Sequence, residues 1–415
     1  MNVLGIIAEY NPFHNGHAYQ IETLKKETGA AYAIIAMGGN FMQRGAPALL
    51  EKYTRAKMAL SCGADLVLEL PALYACASAE SFAYGGAALL EGTGVVTHLG
   101  FGTETEHLPI LQQIASILTR QPQQFRQTLQ QGLKQGLSFP AARSLAVKNC
   151  LALSCSKGEN CPSAELGQIL SSPNNILAIE YLKALSRCHS SILPSPLLRR
   201  GQRYHDQSPG QEFPSASAIR ASIWEPSSLP LLKHAMPAPA FAILKDYPHP
   251  FLQEDDFSAL LHYKLLTESP EQLSGYADSS PSLAQRIKKE ENSFLSWSSF
   301  CQRLKTKNIT YTRLSRIFLH MLLNIHTEGC SPLPPPSYLR VLGFCKQSAP
   351  LLAAIKTHGS LPLLTSPASA PKLLPAPAQA LLAHDLAASS LYRIGLAAKG
   401  DNTLKNDYQH PIVLT

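Results

Sequence analysis

The chain has 415 residues, 45% of them apolar, with a formal net charge of +7. That length suits roughly two or three domains, and that apolar content supplies a sizeable core, which excludes a disordered chain. The mild basic excess is compatible with an anionic partner such as RNA, and nine cysteines scattered from Cys62 to Cys345 exclude a secreted disulfide framework and predict reduced cytoplasmic thiols.

In chain order, "NVLGIIAE" from Asn2 reads as a short buried strand. No basic patch precedes it and Glu9 interrupts it, so no signal peptide is expected. A helical pattern runs from Asn15 to Thr28 and stops at Gly29. "AAYAIIAMGG" predicts a second strand, and "EKYTRAKMALSCG" from Glu51 an amphipathic helix closed by Gly63. "ADLVLELP" predicts a third strand, "AESFAYGGAALLEG" a third helix and "VVTHLGFG" a fourth strand. Alternating strands and helices predict a Rossmann-like parallel sheet with helices on both faces, binding its ligand at the carboxyl ends of the strands. After Gly102 the text is mostly helical to Arg187, and "SSILPSPLLRR" adds one more strand. "PSASAIRASIW" from Pro214 is a serine-capped helix. "EPSSLPLL" and "MPAPA" mark a boundary, giving an α/β domain over 1–225 and a mainly helical domain over 226–415. "CSPLPPPSYL" from Cys330 is a proline-rich joint. No apolar run is long enough to span a membrane. Cys150, Cys155 and Cys161 are spaced too widely for the tight pairs usual at zinc.

"GIIAEYNPFHNGH", residues 5–17, ends the first strand and begins the first helix. That helix start presents unpaired N–H groups and a positive dipole end, where phosphate binds readily. Gly16 lets a nucleotide approach the backbone, and His14 and His17, at i and i+3, are expected on one face. Their spacing alone also suits two surface histidines or half a metal site, which lacks a third ligand nearby in sequence. The place of the motif at a strand end favours the nucleotide.

"HNGH" resembles the (H/T)xGH motif of the adenylyl-transferring superfamily that includes class I aminoacyl-tRNA synthetases, and "SASAIR", Ser215 to Arg220, resembles its second motif. "EYNPFHNGH", "GNFMQRG", "GADLVLELP", "FGTE", "SPNNILAIEYL", "YHD", "SASAIR" and "YTRLSRIFLHML" follow in that order. Over nearly its full length the chain resembles the tRNA(Met) cytidine acetate ligase family, HIGH-type nucleotidyltransferases in fold. The resemblance implies ATP-dependent activation of acetate and transfer of acetyl to N4 of the wobble cytidine of elongator tRNA(Met). It implies an ATP site comprising Ile7, Ala8, Glu9, Tyr10, Asn11, Pro12, Phe13, His14, Asn15, Gly16, His17, Ala18, Tyr19 and Gln20, with Gly102, Asn174 and Arg199. His14 and His17 are the implied catalytic pair. Asn175 and Arg200 are the neighbouring alternatives to Asn174 and Arg199, and an asparagine before a helix also serves as a plain cap. Mg²⁺ is expected to arrive with ATP, with no dedicated carboxylate cage and no protein-held metal. No protein partner is inferred.

Gln43 and Arg44 of "GNFMQRG" suit either the acetate or tRNA end of the site or a solvated loop. In "YTRLSRIFLHMLLNI", Leu314, Ile317, Phe318, Met321, Leu322 and Ile325 form an apolar stripe. Arg313, Arg316 and His320 are expected to form a second, basic face, with Arg303, Lys305 and Lys307 upstream and Tyr311 beside it, suited to an RNA backbone or simply to solvent. Two other functions fit parts of the sequence: a nucleotidyltransferase adenylylating a small phosphorylated metabolite, and a non-catalytic RNA-binding protein on a degenerate nucleotide fold. Acetate incorporation separates the first, and ATP binding the second.

Overall fold

The structure is a computed structural model that describes residues 1–154, 166–199, 215–225, 229–327 and 333–415. It opens with β1 (Val3–Ala8), α1 (Asn15–Thr28), β2 (Tyr32–Gly38), α2 (Lys52–Leu60) and β3 (Leu66–Leu70). There follow α3 (Ala72–Ala75), α4 (Ala79–Glu91), β4 (His98–Thr103), α5 (Leu108–Arg120), α6 (Gln123–Lys134), α7 (Phe139–Ser154), α8 (Leu166–Ser171), α9 (Pro173–Arg187) and β5 (Leu193–Leu198). β1, β2 and β3 are mostly apolar, and β1 and β3 are buried along nearly all of their length, as strands covered on both faces must be. Helix α1 ends where Gly29 takes a left-handed φ of 62°, which a side chain would oppose.

The sheet order is β5-β4-β1-β2-β3 before the C-terminal strands join, and every pair in that run is parallel. The chain leaves β1 towards β2 and β3, then returns to the other side of β1 for β4 and β5. The order therefore reverses at β1 and β4, which opens a crevice beyond their carboxyl ends.

Helices α10 (Ala216–Ser222), α11 (Leu229–Ala235), α12 (Ala238–Lys245), α13 (Ser258–Thr267), α14 (Pro270–Ser274), α15 (Pro281–Glu290), α16 (Trp297–Leu304) and α17 (Tyr311–Leu323) build the helical half. The sequence reading placed no strand beyond residue 226, and here the structure differs. β6 (Leu339–Phe344) enters the same sheet antiparallel to β3, and after α18 (Ala349–His358) the short β7 (Leu363–Leu364) pairs with β6. Beyond α19 (Ala370–Leu373) and α20 (Ala376–Ala398), β8 (Val413–Leu414) also pairs with β6. The helical half is thus stitched into the catalytic sheet by its own strands. Among the described residues no helix is long and apolar enough to cross a membrane. Pro214, Pro226 at the expected domain boundary, the "YHD" block at 204–206, Arg200, Cys155, Cys161 and the first residues of the proline-rich joint lie outside the described residues.

Candidate active site

The end of β1 and the start of α1 build one corner of the crevice. His14 is the N-cap of α1, and its Nδ1 accepts the Gly16 N–H at 3.1 Å. His17, at the third helical position, returns the bond: its Nδ1 accepts the His14 N–H at 3.3 Å. The reciprocal pattern is a capping box made with imidazoles in place of serine and glutamate. The rings stack with centroids 3.7 Å apart, so the two histidines do share a face, although His14 stands just outside the helix. Because both Nδ1 atoms accept, a neutral imidazole carries its proton on Nε2 in each case. The capping geometry therefore leaves Nε2–H as the donor each ring offers.

Burial pushes the His14 imidazole down to about 3, and the charges of Arg199 and Arg220 act in the same direction. His17 is lowered as well, first by burial, then by the adjacent His14 and by Arg199. Both rings are neutral hydrogen-bond donors at neutral pH, not fixed cations.

The opposite wall comes from β4 and β5. Arg199 donates its backbone N–H to Thr103 at 2.9 Å. A Cβ at Gly102 would stand 3.3 Å from Arg199 Cγ, so the missing side chain is what lets the arginine stem lie over the end of β4. Glu104 links this wall to α9: its Oε1 accepts from Asn174 Nδ2 at 2.5 Å and its N–H donates to Asn175 Oδ1 at 2.8 Å. Asn175 is buried as a strut, whereas Asn174 is partly exposed at the rim. The structure therefore gathers His14, His17, Gly102, Asn174 and Arg199 around the carboxyl ends of β1 and β4.

Of the remaining residues in the expected nucleotide segment, Asn11 accepts the Leu49 N–H at 2.8 Å and Asn15 Nδ2 donates to the His234 carbonyl at 2.8 Å. Tyr10 and Phe13 pack edge-on at 4.8 Å, and Tyr10 lies against His17 at 4.7 Å, so these rings back the imidazole pair. Ile7 and Pro12 are buried, while Ala8, Ala18, Tyr19 and Gln20 are half-buried. Glu9 Oε1 accepts the Gln43 N–H at 2.6 Å, which docks the 39–45 loop against the end of β1.

Two arginines escaped selection as site residues from sequence. Arg220, at the end of "SASAIR", donates from Nη1 to the Asn11 carbonyl at 2.7 Å and from Nη2 to Ser217 Oγ at 3.1 Å, tying the second motif to the first. Arg55 on α2 is 0% exposed. Its Nη1 donates to the Glu9 carbonyl at 2.5 Å, its Nη2 to the Gly38 carbonyl at 3.1 Å and to Gly39, and its Nε to the Leu50 carbonyl at 2.9 Å. One guanidinium thus pins the chain where it leaves both β1 and β2. The only signal available from sequence was a basic residue on a helix face otherwise buried.

Beneath that pin lies a buried ionic cluster. Lys52 Nζ meets Glu69 at 2.8 Å, Asp407 at 2.9 Å and Ser389 Oγ at 2.9 Å, and Arg340 meets Glu69 at 2.9 Å and Asp407 at 3.1 Å. Tyr338 donates to Asp385 at 2.5 Å, and burial, followed by the Glu69 charge, pushes the Asp385 carboxyl up to about 7. Two cations therefore face the carboxylates of Glu69 and Asp407, and against the upward push of burial the Lys52 and Arg340 charges hold the Asp407 carboxyl below its usual range. A Cβ at Gly39 would stand 2.8 Å from Glu69 Oε1, so the cluster directly supports the loop after β2.

The basic face expected on α17 turns inward. Arg316 Nε pairs with Asp278 at 2.8 Å, and Arg313 Nη2 donates to the Asp278 carbonyl at 2.9 Å. His320 is buried between the Ala277 and Cys76 carbonyls, each 2.9 Å from a ring nitrogen. The expectation of an outward basic face there is corrected: a tertiary neighbour, the 276–278 turn, has claimed its charges.

A HIGH Nucleotidyl Transferase family model matches residues 1–407. Similar proteins include a tRNA(Met) cytidine acetate ligase of Halothermothrix orenii, 40% identical over 88% of this chain and 87% of that protein. Another, from Thermoanaerobacter sp. strain X514, is 36% identical over 100% of both. A crystal structure of Thermotoga maritima TmcAL bound with alpha-thio ATP superposes with a TM-score of 0.90 at 30% identity, covering 100% of this chain and 99% of that one.

Proposed function

The chain belongs to the HIGH nucleotidyl transferase family and, within it, to the tRNA(Met) cytidine acetate ligases, and from that premise we propose how its residues activate acetate with ATP and acetylate N4 of the wobble cytidine of elongator tRNA(Met). The observation that carries the residue roles is the convergence of two Nε2–H imidazoles, the N-terminus of α1 and Arg199 at the topological switch point.

In the first step an acetate oxygen attacks the α-phosphorus of ATP. The bond to the β-phosphate oxygen breaks, leaving acetyl-adenylate and pyrophosphate. Charge builds on the phosphate oxygens in the transition state, and His14 and His17 donate to it from Nε2 beside the first amides of α1. Neutral donors suit this role, because they gain most when charge develops rather than binding the ground state as tightly. Gly102 leaves room for the nucleoside against the end of β4, Asn174 offers an amide at its rim, and Arg199 supplies a planar cation for phosphate. Residues Ile7 to Gln20 form the nucleotide cradle. In the second step the cytidine N4 attacks the acetyl carbonyl, the bond to AMP breaks, and N4 loses a proton. The base is reached in an unpaired anticodon loop.

Mg²⁺ arriving with ATP, as part of that substrate, would offset charge on its phosphates. Among the described residues no group of three or more His, Cys, Asp and Glu is arranged to hold a metal. We place the enzyme in the cytoplasm, a reading supported by described cysteines such as Cys62, Cys76 and Cys301 being free thiols. Residues 1–225 are the catalytic domain in this reading, and 226–415 a helical domain that contributes to tRNA binding.

The test is nucleoside mass spectrometry of elongator tRNA(Met) incubated with the protein, ATP and acetate. N4-acetylcytidine is expected with ATP and acetate together and with neither alone. Its formation from acetyl-CoA without ATP would overturn the reading.

A further inference from the structure

From position 108 to position 154 the chain has no Asp or Glu and five cations: Arg120, Arg126, Lys134, Arg143 and Lys148. The stretch folds into α5 and the antiparallel pair α6 and α7. Phe125 on α6 and Ala142, Ala146 and Val147 on α7 are buried, and Phe125, Ala146 and Val147 share one core with Ile110, Leu111 and Ile114 of α5. At its closest, Gly132 approaches Ala142 so nearly that a Cβ there would stand 3.0 Å from the alanine methyl. The pair is therefore a stiff helical hairpin seated on the core rather than a loop.

Its cations divide by use. Arg143 faces the body and lies 3.9 Å from Glu180, a buried carboxylate of α9. Arg120, Arg126, Lys134 and Lys148 are exposed and make no hydrogen bond or ion pair with any described residue. On α6, Arg126, Gln130 and Lys134 follow at i, i+4 and i+8, so two cations and an amide share one solvent-facing row. Beyond the end of α6, Leu137 and Phe139 are exposed, Phe139 by 56%. The acids nearest in sequence are Glu104 and Glu106, at the foot of α5, and Glu104 is taken by Asn174. Those two residues also locate the stretch. It leaves the body directly after β4 and is followed, through α8, by the start of α9, so it is inserted between Gly102 and Asn174 at the edge of the crevice.

We propose that this acid-free arm, and the Arg126–Gln130–Lys134 row of α6 above all, is the surface on which the tRNA backbone docks while its loop reaches the crevice. The inference rests on the tRNA acetylation reading. Uncompensated exposed cations on a rigid helix contribute to RNA affinity by displacing counterions. Amides beside them add hydrogen bonds to phosphate and sugar, and an exposed aromatic ring suits an unstacked base. The inward-turned α17 offers none of this, since its arginines already have partners.

The experiment uses the full chain with Arg126→Gln and Lys134→Gln combined, and separately with Arg126→Glu and Lys134→Glu combined. Affinity for an elongator tRNA(Met) transcript is measured over a salt series, beside acetate-dependent pyrophosphate release and the state of oligomerisation. The neutral pair should lower affinity on the order of tenfold and flatten the log–log salt slope by about one unit per lost contact. The acidic pair should lower affinity further, and Arg126→Lys with Lys134→Arg should retain it. Pyrophosphate release should be unchanged throughout. Unaltered affinity and slope in the acidic pair would overturn the proposal. So would a changed oligomeric state with tRNA affinity intact, which would make the arm a contact between copies of the chain. Failure of the wild-type protein to acetylate tRNA would instead overturn the functional reading itself.

Discussion

Helices α2 and α6 both carry basic residues along an amphipathic pattern, and the two put them to opposite uses. On α2, Lys52 and Arg55 are 0% exposed and almost every donor meets a carboxylate or a carbonyl. On α6, Arg126 and Lys134 stand in solvent with no described partner. The first pair holds the site together, and its removal should be felt as lost stability. The second pair has nothing within the protein to stabilise, so its removal should be felt only by a ligand. Charge on a helix thus says little until what faces it is known, and Arg313 and Arg316 on α17 make the same point from an intermediate case.

The comparison is sharpest at Lys52. Lys52→Met leaves Glu69 and Asp407 sharing one cation in a buried cluster, and should destabilise the protein by about 3–5 kcal/mol. Urea unfolding with an unchanged slope would read it, and a loss under about 1 kcal/mol would break the contrast with α6. Arg55→Lys keeps the charge but loses the fork. A single ammonium cannot serve the carbonyls of Glu9, Gly38, Gly39 and Leu50 together, and each unpaired buried carbonyl costs about 1–3 kcal/mol. Acetate-dependent pyrophosphate release should fall in this variant while tRNA affinity holds. A loss of tRNA affinity with chemistry intact would place Arg55 in the wrong region.

The histidine pair gives a test through pH. The His14 imidazole lies lower in the folded protein than its ordinary value, falling to about 3. Between that value and about 6.5 the unfolded chain binds the extra proton, so stability is full above about 6.5 and declines as the pH falls. The expected slope is up to about 1.4 kcal/mol per pH unit for this group. His14→Asn, which preserves an N-cap acceptor, should flatten the decline in melting temperature between pH 6.5 and 4.5; an unchanged decline would show that His14 is not held neutral. A smaller effect is expected at α17. Arg316→Glu sets a carboxylate against Asp278 at a partly exposed site, where such pairs are worth about 1 kcal/mol or less. It should lower stability by about that much and leave tRNA affinity unchanged in the folded protein. The arm substitutions, away from any packed feature, should stay within about 0.5 kcal/mol of wild type.

Much of the fold and one corner of the site could be read from local pattern. Local pattern located β1 to β5 and helices α1, α2 and α4, because each is written in a short run of its own residues; α3 was not anticipated, and the stretch between β4 and β5 was read only as mostly helical. "HNGH" announced itself because an imidazole capping box is made within four consecutive residues. The strands β6, β7 and β8 went unread for the converse reason. β7 and β8 are only two residues long and β6 pairs with β3 across a separation of some 270 positions, so neither length nor period marks them. Arg55 went unread as a site residue because its acceptors are backbone carbonyls, which every residue has.

By itself, then, the sequence determined the alternating parallel sheet, the phosphate-ready start of α1, the serine cap of the second motif and the family to which these motifs point. Only the tertiary structure decided which cations are spent inside the protein and which face outward. It also decided that the last strands and Asp407 close the catalytic sheet from the far end of the chain. The physical reason is range. Hydrophobic period and helix capping act over a few residues, whereas the state of a charge depends on burial and on opposite charges a few ångströms away in space, and for Lys52 and Asp407 those neighbours are 355 residues apart in sequence.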